Sequence, residues 1–220
     1  MNDILSETEL AELICTRISH DVIGNVGAVS NAVELLEEGD MDFLDDIRSI
    51  LKVSSSVLSA RLKFFRLAFG LSNANLEDFR QVKSAAENYL KTLGSRNYPL
   101  SLELELHSAA FARQALVGIM IAADMLIKGG KIEAREVGGR LAVITHCETP
   151  PSAEKIRNIK TVLSGGRPEN MAQYAPVFYL KSLMTSQKQV IRLIETPAFG
   201  LMMELSLIHI SEPTRLQLIS

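Results

Sequence analysis

The first seventy residues carry apolar positions spaced for two long helices. From about Thr8 to Leu36 these positions recur every three or four residues and form one stripe at roughly 100° per residue. The stripe consists of Ile18, Val22, Val26, Val29, Val33 and Leu36. Gly39 suits a helix C-terminal cap and Asp40 a helix N-terminal cap, so the chain is expected to turn there.

A second helix is predicted from about Met41 to Phe69, and its apolar positions follow a heptad. They are Leu44, Leu51, Leu58 and Phe65, with Ile47 and Ala68 on the interleaved positions. Such a seam is typical of a helical hairpin or bundle. Two helices of roughly 28 residues carry more apolar surface than one hairpin can cover, so we expect a second copy to complete a four-helix bundle.

Beyond residue 72 the periodicity changes repeatedly, which indicates a second domain. The predicted order is helix, strand, helix, two strands, two helices and two strands. The elements are Phe79–Leu93, Tyr98–Leu106, Ser108–Lys128, Lys131–Val137, Arg140–Cys147, a helix from Pro150-Pro151 to Leu163, Asn170–Gln187, Val190–Glu195 and Phe199–Leu205. This order predicts an α+β layer in which helices cover one face of a mixed sheet. We therefore divide the chain into 1–72, 73–206 and a tail, 207–220, that resembles an out-of-frame extension.

Composition narrows the class of partner. The net charge of −3 argues against nucleic acid or an anionic membrane as the main partner. The longest apolar run, Leu116–Ile127, is interrupted by Asp124 and is too short to span a bilayer. Cys15 and Cys147 lack the spacing of a zinc site, and no signal peptide is evident. We expect a cytoplasmic protein with two reduced, mostly buried thiols and no metal site.

The first helix places a histidine and a carboxylate, His20 and Asp21, next to each other. His20 lies about 160° from the centre of the apolar stripe, so its imidazole is expected in solvent. Gly24, Gly27 and Asn31 share its face. Each helical glycine costs roughly 1 kcal/mol relative to alanine, so two of them beside an exposed histidine indicate a surface kept flat for a docking partner.

This pattern resembles a sensor histidine kinase, and more closely the ChpT-like histidine phosphotransferases of alphaproteobacteria. The segments Arg17–Val29 and Phe65–Gly70 carry the resemblance, and Asn31–Leu36 and Leu126–Gly130 extend it. It implies a long antiparallel helical hairpin that dimerises to a four-helix bundle, joined to a GHKL (Bergerat-like) α/β sandwich domain. One departure is Asn25, where such helices usually place a proline that bends the helix.

The second domain lacks the residues that a GHKL nucleotide site needs. Gly118 and Ala122 stand where the magnesium-binding asparagines are expected, and no Asp-x-Gly-x-Gly turn follows the Arg140–Cys147 strand. The loop at Gly165-Gly166 does not open a helix as a phosphate cradle would. The resemblance therefore implies an ATPase-like scaffold without ATPase chemistry.

The implied function is a histidine phosphotransferase that relays a phosphoryl group through His20 between receiver-domain aspartates of a two-component phosphorelay. Asp21 is the candidate orienting group or proton acceptor. Magnesium is expected in the partner receiver domain and no cofactor in this chain. The expected partners are a receiver domain of a hybrid kinase, response regulators and a second copy of the chain. The candidate receiver-binding residues are Arg17, Gly24, Asn25, Gly27, Asn31 and Arg66.

Two other functions stay open at this stage. One is an ATP-dependent histidine kinase with a divergent nucleotide pocket. The other is a non-catalytic dimeric module that binds receiver domains and does not need His20. For Arg17 and Arg66, a salt bridge within the bundle is an equal alternative to a role in binding phosphate or a receiver.

Overall fold

The computed structural model describes residues 5–38, 43–70, 76–195 and 201–207. Its helices are Glu7–Glu37 (α1), Leu44–Phe69 (α2), Phe79–Leu93 (α3), Ala112–Met125 (α4), Ala153–Leu163 (α5) and Ala175–Ser186 (α6). Its strands are Leu100–Glu105 (β1), Gly130–Val137 (β2), Arg140–His146 (β3), Gln189–Glu195 (β4) and Leu201–Leu207 (β5). Two short 3-10 turns, Ala109–Phe111 and Met171–Tyr174, lead into α4 and α6. The predicted α+β class and element order are confirmed.

The helix α1 begins at a capping box. The Ser6 hydroxyl accepts the Glu9 backbone N–H at 3.2 Å, and the Glu9 carboxylate accepts the Ser6 backbone N–H at 2.8 Å. Arg167, from the loop after α5, adds a 3.0 Å ion pair to Glu9. The start of the hairpin is therefore tied to the second domain. The predicted caps Gly39 and Asp40 lie outside the described residues.

The hairpin seam follows the heptad in α2 but only part of the predicted stripe in α1. Ile47, Phe65 and Ala68 are buried, as the spacing predicts. In α1, however, Val26, Val33 and Leu36 are 43%, 42% and 41% exposed in the single chain, which leaves them for the second copy that the sequence predicts. The apolar side chains that pack on the main core are Leu5, just before α1, and Leu10, Leu13, Ile18 and Val22 of α1. The later half of α1 projects beyond that core, and its apolar stripe is left uncovered.

The second domain is built on a mixed five-stranded sheet in the order β1-β2-β3-β5-β4. The strands β1 and β2 pair in parallel and the other neighbours pair antiparallel. Gly138 and Gly139 both have positive φ angles, 57° and 72°, and close the predicted two-residue hairpin between β2 and β3. The sheet's buried face consists of Ile132, Ala134, Leu141, Val143, Met203 and Leu205. The helix α4 packs directly on this face.

The hydrophobic core runs from the sheet into the end of the hairpin. Phe64 and Ala68 of α2 are fully buried, and the Tyr89 ring of α3 stacks on Phe64 with centroids 4.0 Å apart. The predicted domain boundary falls at 71–75, outside the described residues, as does the tail beyond Leu207. Among the described residues, no helix is both long and apolar enough to cross a membrane.

Candidate active site

The imidazole of His20 stands on the outer surface of α1, with 85% of its side chain exposed. A methyl group added at Gly24 or Gly27 would meet nothing within 4 Å, so the helix surface below the histidine is open. Asn31 is exposed and Asn25 is half-buried. The structure thus places four of the predicted receiver-binding residues along α1 below His20. Whether a receiver binds them stays a prediction.

The carboxylate of Asp21 lies between His20 and Arg17. Its Oδ1 is 3.5 Å from the His20 Nδ1, and its Oδ2 accepts a 2.9 Å hydrogen bond from the Arg17 Nε. Asp21 is 15% exposed, so most of the charge is withdrawn from solvent. With Nδ1 on the side of the carboxylate, the Nε2 of His20 is left facing outward.

The side chain of Arg17 points into the junction between the hairpin and the second domain. Its Nη1 and Nη2 each donate a 2.9 Å hydrogen bond to the Asp124 carboxylate, and Nη1 also donates to the Gln173 carbonyl at 3.0 Å. Burial opposes the charge, but the hydrogen bonds and attraction of Asp124 and Asp21 outweigh it and raise the pKa of Arg17. Arg17 thus makes four N–H contacts within the chain. Of its two predicted roles, the structure shows the salt bridge, and its main partner lies in the second domain.

A second arginine that the sequence did not single out also holds α1 at this level. Arg61 of α2 donates through Nη1 to the Asp21 backbone carbonyl, and its Nε donates to the Thr92 hydroxyl of α3 at 3.2 Å. Thr92 in turn donates to the Tyr89 carbonyl at 2.7 Å. The helix segment around His20 is therefore fixed on one side by α4 and on another by α2 and α3.

An open cleft of about 490 Å³ lies beside the histidine. One wall comes from α1 and the other from the second domain. The lining residues are Thr16, Arg17, His20, Asp21, Asp124, Asn170, Ala172 and Gln173. Arg66, predicted to bind a receiver, is exposed on the last turn of α2 and does not line this cleft. The cleft therefore lies between the two domains, next to His20.

A small pocket lies between α4, α5 and the start of α6. It measures about 10 Å³, which is on the order of one water molecule. Its lining residues are Ile121, Asp124, Met125, Lys155, Ile159, Gln173, Tyr174, Pro176 and Val177. The Lys155 Nζ donates to the Asp124 carbonyl at 2.5 Å and ties α5 to the end of α4.

Gly118 of α4 faces the sheet, since a Cβ at this position would stand 2.9 Å from the Val143 Cγ2. The α4 residues that line the small pocket are Ile121, Asp124 and Met125. That Gly118 and Ala122 take the places of magnesium-binding asparagines stays a prediction. Among the described residues, no group of three or more His, Cys, Asp or Glu side chains is placed to hold a metal ion.

The exposure of one cysteine contradicts the prediction from the sequence. Cys15, one turn and a half before His20, is exposed, contrary to the prediction of mostly buried thiols. Cys147 is half-buried, and burial raises the pKa of its thiol. Neither cysteine lines the cleft beside His20.

The chain is similar to two known phosphotransferases, one in sequence and one in structure. Protein phosphotransferase ChpT of Brucella abortus (strain 2308) is 47% identical over 70 residues, which are 32% of this chain and 32% of that protein. The match therefore spans about a third of the curated relative. A solved structure of a bacterial phosphotransferase superposes with a TM-score of 0.74 and 25% identity, over 92% of this chain and 98% of that one.

A histidine kinase of Acinetobacter baumannii, AdeS, superposes less closely, with a TM-score of 0.39 and 13% identity over 86% of this chain and 98% of that one. No protein-family model matches the chain. The two phosphotransferase similarities confirm the predicted resemblance to ChpT-like proteins, and the solved structure shows the same fold.

Proposed function

We propose that this ChpT-like protein is a histidine phosphotransferase that relays a phosphoryl group through His20 between aspartates of receiver domains. The observation that carries the proposal is the exposed imidazole with Nδ1 beside a fixed carboxylate and Nε2 open to the cleft. A carrier histidine needs one accessible nitrogen and a partner that holds the other. The two phosphotransferase relatives support the same function.

The transfer step follows from the orientation of the ring. The lone pair of Nε2 attacks the phosphorus of an aspartyl phosphate on the receiver. The N–P bond forms, the bond from phosphorus to the aspartyl oxygen breaks, and the aspartate leaves as a carboxylate. The phosphorylated ring is cationic while Nδ1 keeps its proton, and Asp21 lies 3.5 Å away to stabilise that charge. Donation to the next receiver reverses these bonds.

The sequence of the second domain favours phosphotransfer over ATP-dependent kinase activity. Gly118 and Ala122 stand where the resemblance would place magnesium-binding asparagines, and no Asp-x-Gly-x-Gly turn follows β3. The proposal is therefore that this chain binds no nucleotide or metal and that the receiver holds the magnesium. The partners are a hybrid kinase's receiver domain and response regulators, in the cytoplasm.

The proposal includes a homodimer. Exposed apolar side chains remain on both helices of the hairpin beyond the main core, and a second hairpin packed along them would complete a four-helix bundle. They include Ile23, Val26, Val33, Leu36, Ile50, Val53 and Leu62. So many exposed apolar side chains on one hairpin are typical of an interface rather than of a monomer surface.

A radiolabel transfer assay tests the function. The purified chain and its His20→Ala variant are incubated with labelled ATP alone, then with receiver domains pre-phosphorylated from a labelled donor. His107→Ala, an exposed histidine after β1, is the matched control. We expect acid-labile label on the wild type and on His107→Ala only when a phosphorylated receiver is present, and no label on His20→Ala.

Other outcomes identify the alternatives. Label from ATP alone would establish a kinase and overturn the assignment of the second domain as inactive. Receivers that bind to the wild type and to His20→Ala with equal affinity, without any label transfer from any of them, would establish a binding module instead.

A further inference from the structure

We propose that Asp124 is a positioning residue for His20, acting through Arg17 and Asp21. The inference rests on the proposed function and gives the second domain a direct part in the transfer step. Asp124 lies on the last turn of α4, at the base of the cleft, and does not contact the imidazole. Its influence therefore has to pass through other side chains.

The contact path is continuous and joins four side chains through three successive contacts. The Asp124 carboxylate accepts two hydrogen bonds of 2.9 Å from Nη1 and Nη2 of Arg17. The Nε of the same guanidinium donates to the Asp21 Oδ2 at 2.9 Å, and the other Asp21 oxygen lies 3.5 Å from the His20 Nδ1. Each link is at hydrogen-bond or charge-contact distance.

The guanidinium makes this path rigid. It is a planar group, and Asp124 holds one edge through two parallel hydrogen bonds while Asp21 takes the Nε edge. Fixing the first edge fixes the plane and therefore the direction of the Nε–H bond. The Gln173 carbonyl, which accepts from Nη1 at 3.0 Å, holds the same plane from the second domain.

Asp124 itself is held in place from the backbone. The Lys155 Nζ donates to its carbonyl at 2.5 Å, and α4 around it is buried against the sheet. The position of this carboxylate is thus set by the core of the second domain. Because Arg17 is only 11% exposed, solvent screens the ion pair weakly. The rigid domain therefore sets where Asp21 stands relative to the imidazole.

The consequence for the reaction concerns the charge that forms on the ring. Asp21 is useful when it stays close to Nδ1 as the imidazole becomes cationic. With Asp124 neutralised, Arg17 loses its anchor, and its guanidinium is free to turn fully onto Asp21 and draw it from the histidine. A misplacement on the order of 1 Å can slow a transfer step about a hundredfold.

A double-mutant cycle tests the path. We compare the rate of label transfer from a phosphorylated receiver for the wild type, Asp124→Asn, Asp21→Asn and the double variant. We expect Asp124→Asn to be at least about tenfold slower, and to have little further effect once Asp21 is Asn. Glu103→Gln, which removes a carboxylate from the ion pairs with Lys131 and Arg135 on the sheet, is the matched control and should transfer at the wild-type rate.

The imidazole gives a readout that loss of stability alone would not move. In nitrogen-15 NMR of the folded protein, we expect wild-type His20 to favour the tautomer with the proton on Nδ1, and Asp124→Asn to shift its nitrogen signals toward those of a free histidine. His107 signals should stay unchanged. Arg17→Lys should behave like Asp124→Asn, since an ammonium lacks the planar fork.

Two results overturn the inference. Equal transfer rates and unchanged His20 signals in Asp124→Asn would show that Asp124 does not act on the histidine. A rate loss in Asp124→Asn that is undiminished in the Asp21→Asn background would show that it acts by another route. Both leave the proposed function intact, whereas label transfer to His20→Ala would remove that function itself.

Discussion

Arg17 and Asp124, separated by 107 positions in the sequence, are joined by two parallel hydrogen bonds of 2.9 Å each. The pair connects the helix that carries His20 to the last turn of the buried helix α4. Both partners are largely withdrawn from solvent, with the arginine 11% and the aspartate 28% exposed. Variants can separate the contribution of the Arg17–Asp124 pair to stability from its proposed effect on His20.

Breaking this pair should cost far more stability than breaking one in solvent. Arg17→Ala leaves two partly buried carboxylates without a counter-charge and should lower the free energy of unfolding by about 3 kcal/mol. Arg48→Ala, which removes the partner of Asp45 on the open side of α2, should change it by less than about 1 kcal/mol. Urea denaturation of both variants gives the comparison. Equal losses would mean that the Arg17 network contributes nothing beyond a surface pair.

Two helical glycines should respond in opposite directions to alanine. At Gly27 a methyl group meets no atom within 4 Å, so Gly27→Ala should raise the free energy of unfolding by about 0.5–1 kcal/mol through helix propensity. At Gly118 it would stand 2.9 Å from the Val143 methyl, so Gly118→Ala should lower it by about 1 kcal/mol.

The two glycine variants also separate an effect on docking from an effect on stability. If Gly27 lies under a bound receiver, Gly27→Ala should slow label transfer although it stabilises the fold, and Gly118→Ala should not. Thermal unfolding and the transfer assay on the same samples measure both effects. Unchanged transfer in Gly27→Ala would remove Gly27 from the candidate docking surface.

The hydroxyl of Tyr89 should be dispensable. It is buried beside the Arg17 network and finds no hydrogen-bond partner among the described residues. Burial, and then the negative charge of Asp124, raise the pKa of its phenol, so it stays protonated. Tyr89→Phe keeps the stack on Phe64 and removes an unpaired polar group, so it should raise the free energy of unfolding by about 1 kcal/mol.

A second variant, to be compared with Tyr89→Phe, removes the aromatic ring itself. Tyr89→Leu loses the stacking partner of Phe64 and should destabilise by about 2 kcal/mol or more. A clear loss of stability in Tyr89→Phe, measured by urea denaturation, would show instead that the hydroxyl is used.

The stability contributed by Glu9 should depend on pH. Hydrogen bonds from the Ser6 backbone and hydroxyl, and then Arg167, hold the pKa of Glu9 below its ordinary value of 4.5. A carboxyl with a lowered pKa stabilises the fold above its ordinary pKa, and the contribution is lost as the pH falls through the folded value. Glu9→Gln should therefore be less stable than the wild type at pH 7, and the difference should shrink progressively as the pH falls below 4.5. A stability difference that stays the same from pH 7 down to the lowest pH at which the protein is folded would contradict this origin.

The local elements could be predicted because their signals are local. The helix Phe79–Leu93 has the predicted bounds, since its Asp78 cap and Gly94 stop lie next to it in sequence. The β2–β3 hairpin follows from Gly138-Gly139 in the same way. Helix α4 begins later than predicted, because the Ser108 cap opens a 3-10 turn first.

The arrangement around His20 depends on contacts that no local pattern reveals. The sequence leaves Arg17 with two equal alternatives, a salt bridge or a binding role, and only the packing of the second domain supplies Asp124 as its partner. Arg61 and Gln173 have no sequence signal for their contacts with Asp21 and Arg17. Asp124 did carry one: a carboxylate near the end of a largely apolar, buried helix requires a partner. How far the hairpin alone covers the α1 stripe also depends on contacts distant in sequence, because the later half of α1 lies outside the core.

The hydrogen bond from Arg61 to the Asp21 carbonyl bears on the missing proline at position 25. In a regular helix that carbonyl accepts the Asn25 N–H, and here it accepts Arg61 as well. A proline at 25 removes the first donor and tilts the carbonyl outward. Because Arg61 already donates to it, the Asp21 carbonyl oxygen would keep a hydrogen bond. Asn25→Pro should therefore cost less than the roughly 3 kcal/mol of an ordinary mid-helix proline. The chain can thus exchange a straight helix at the His20 turn for a bent one at reduced cost.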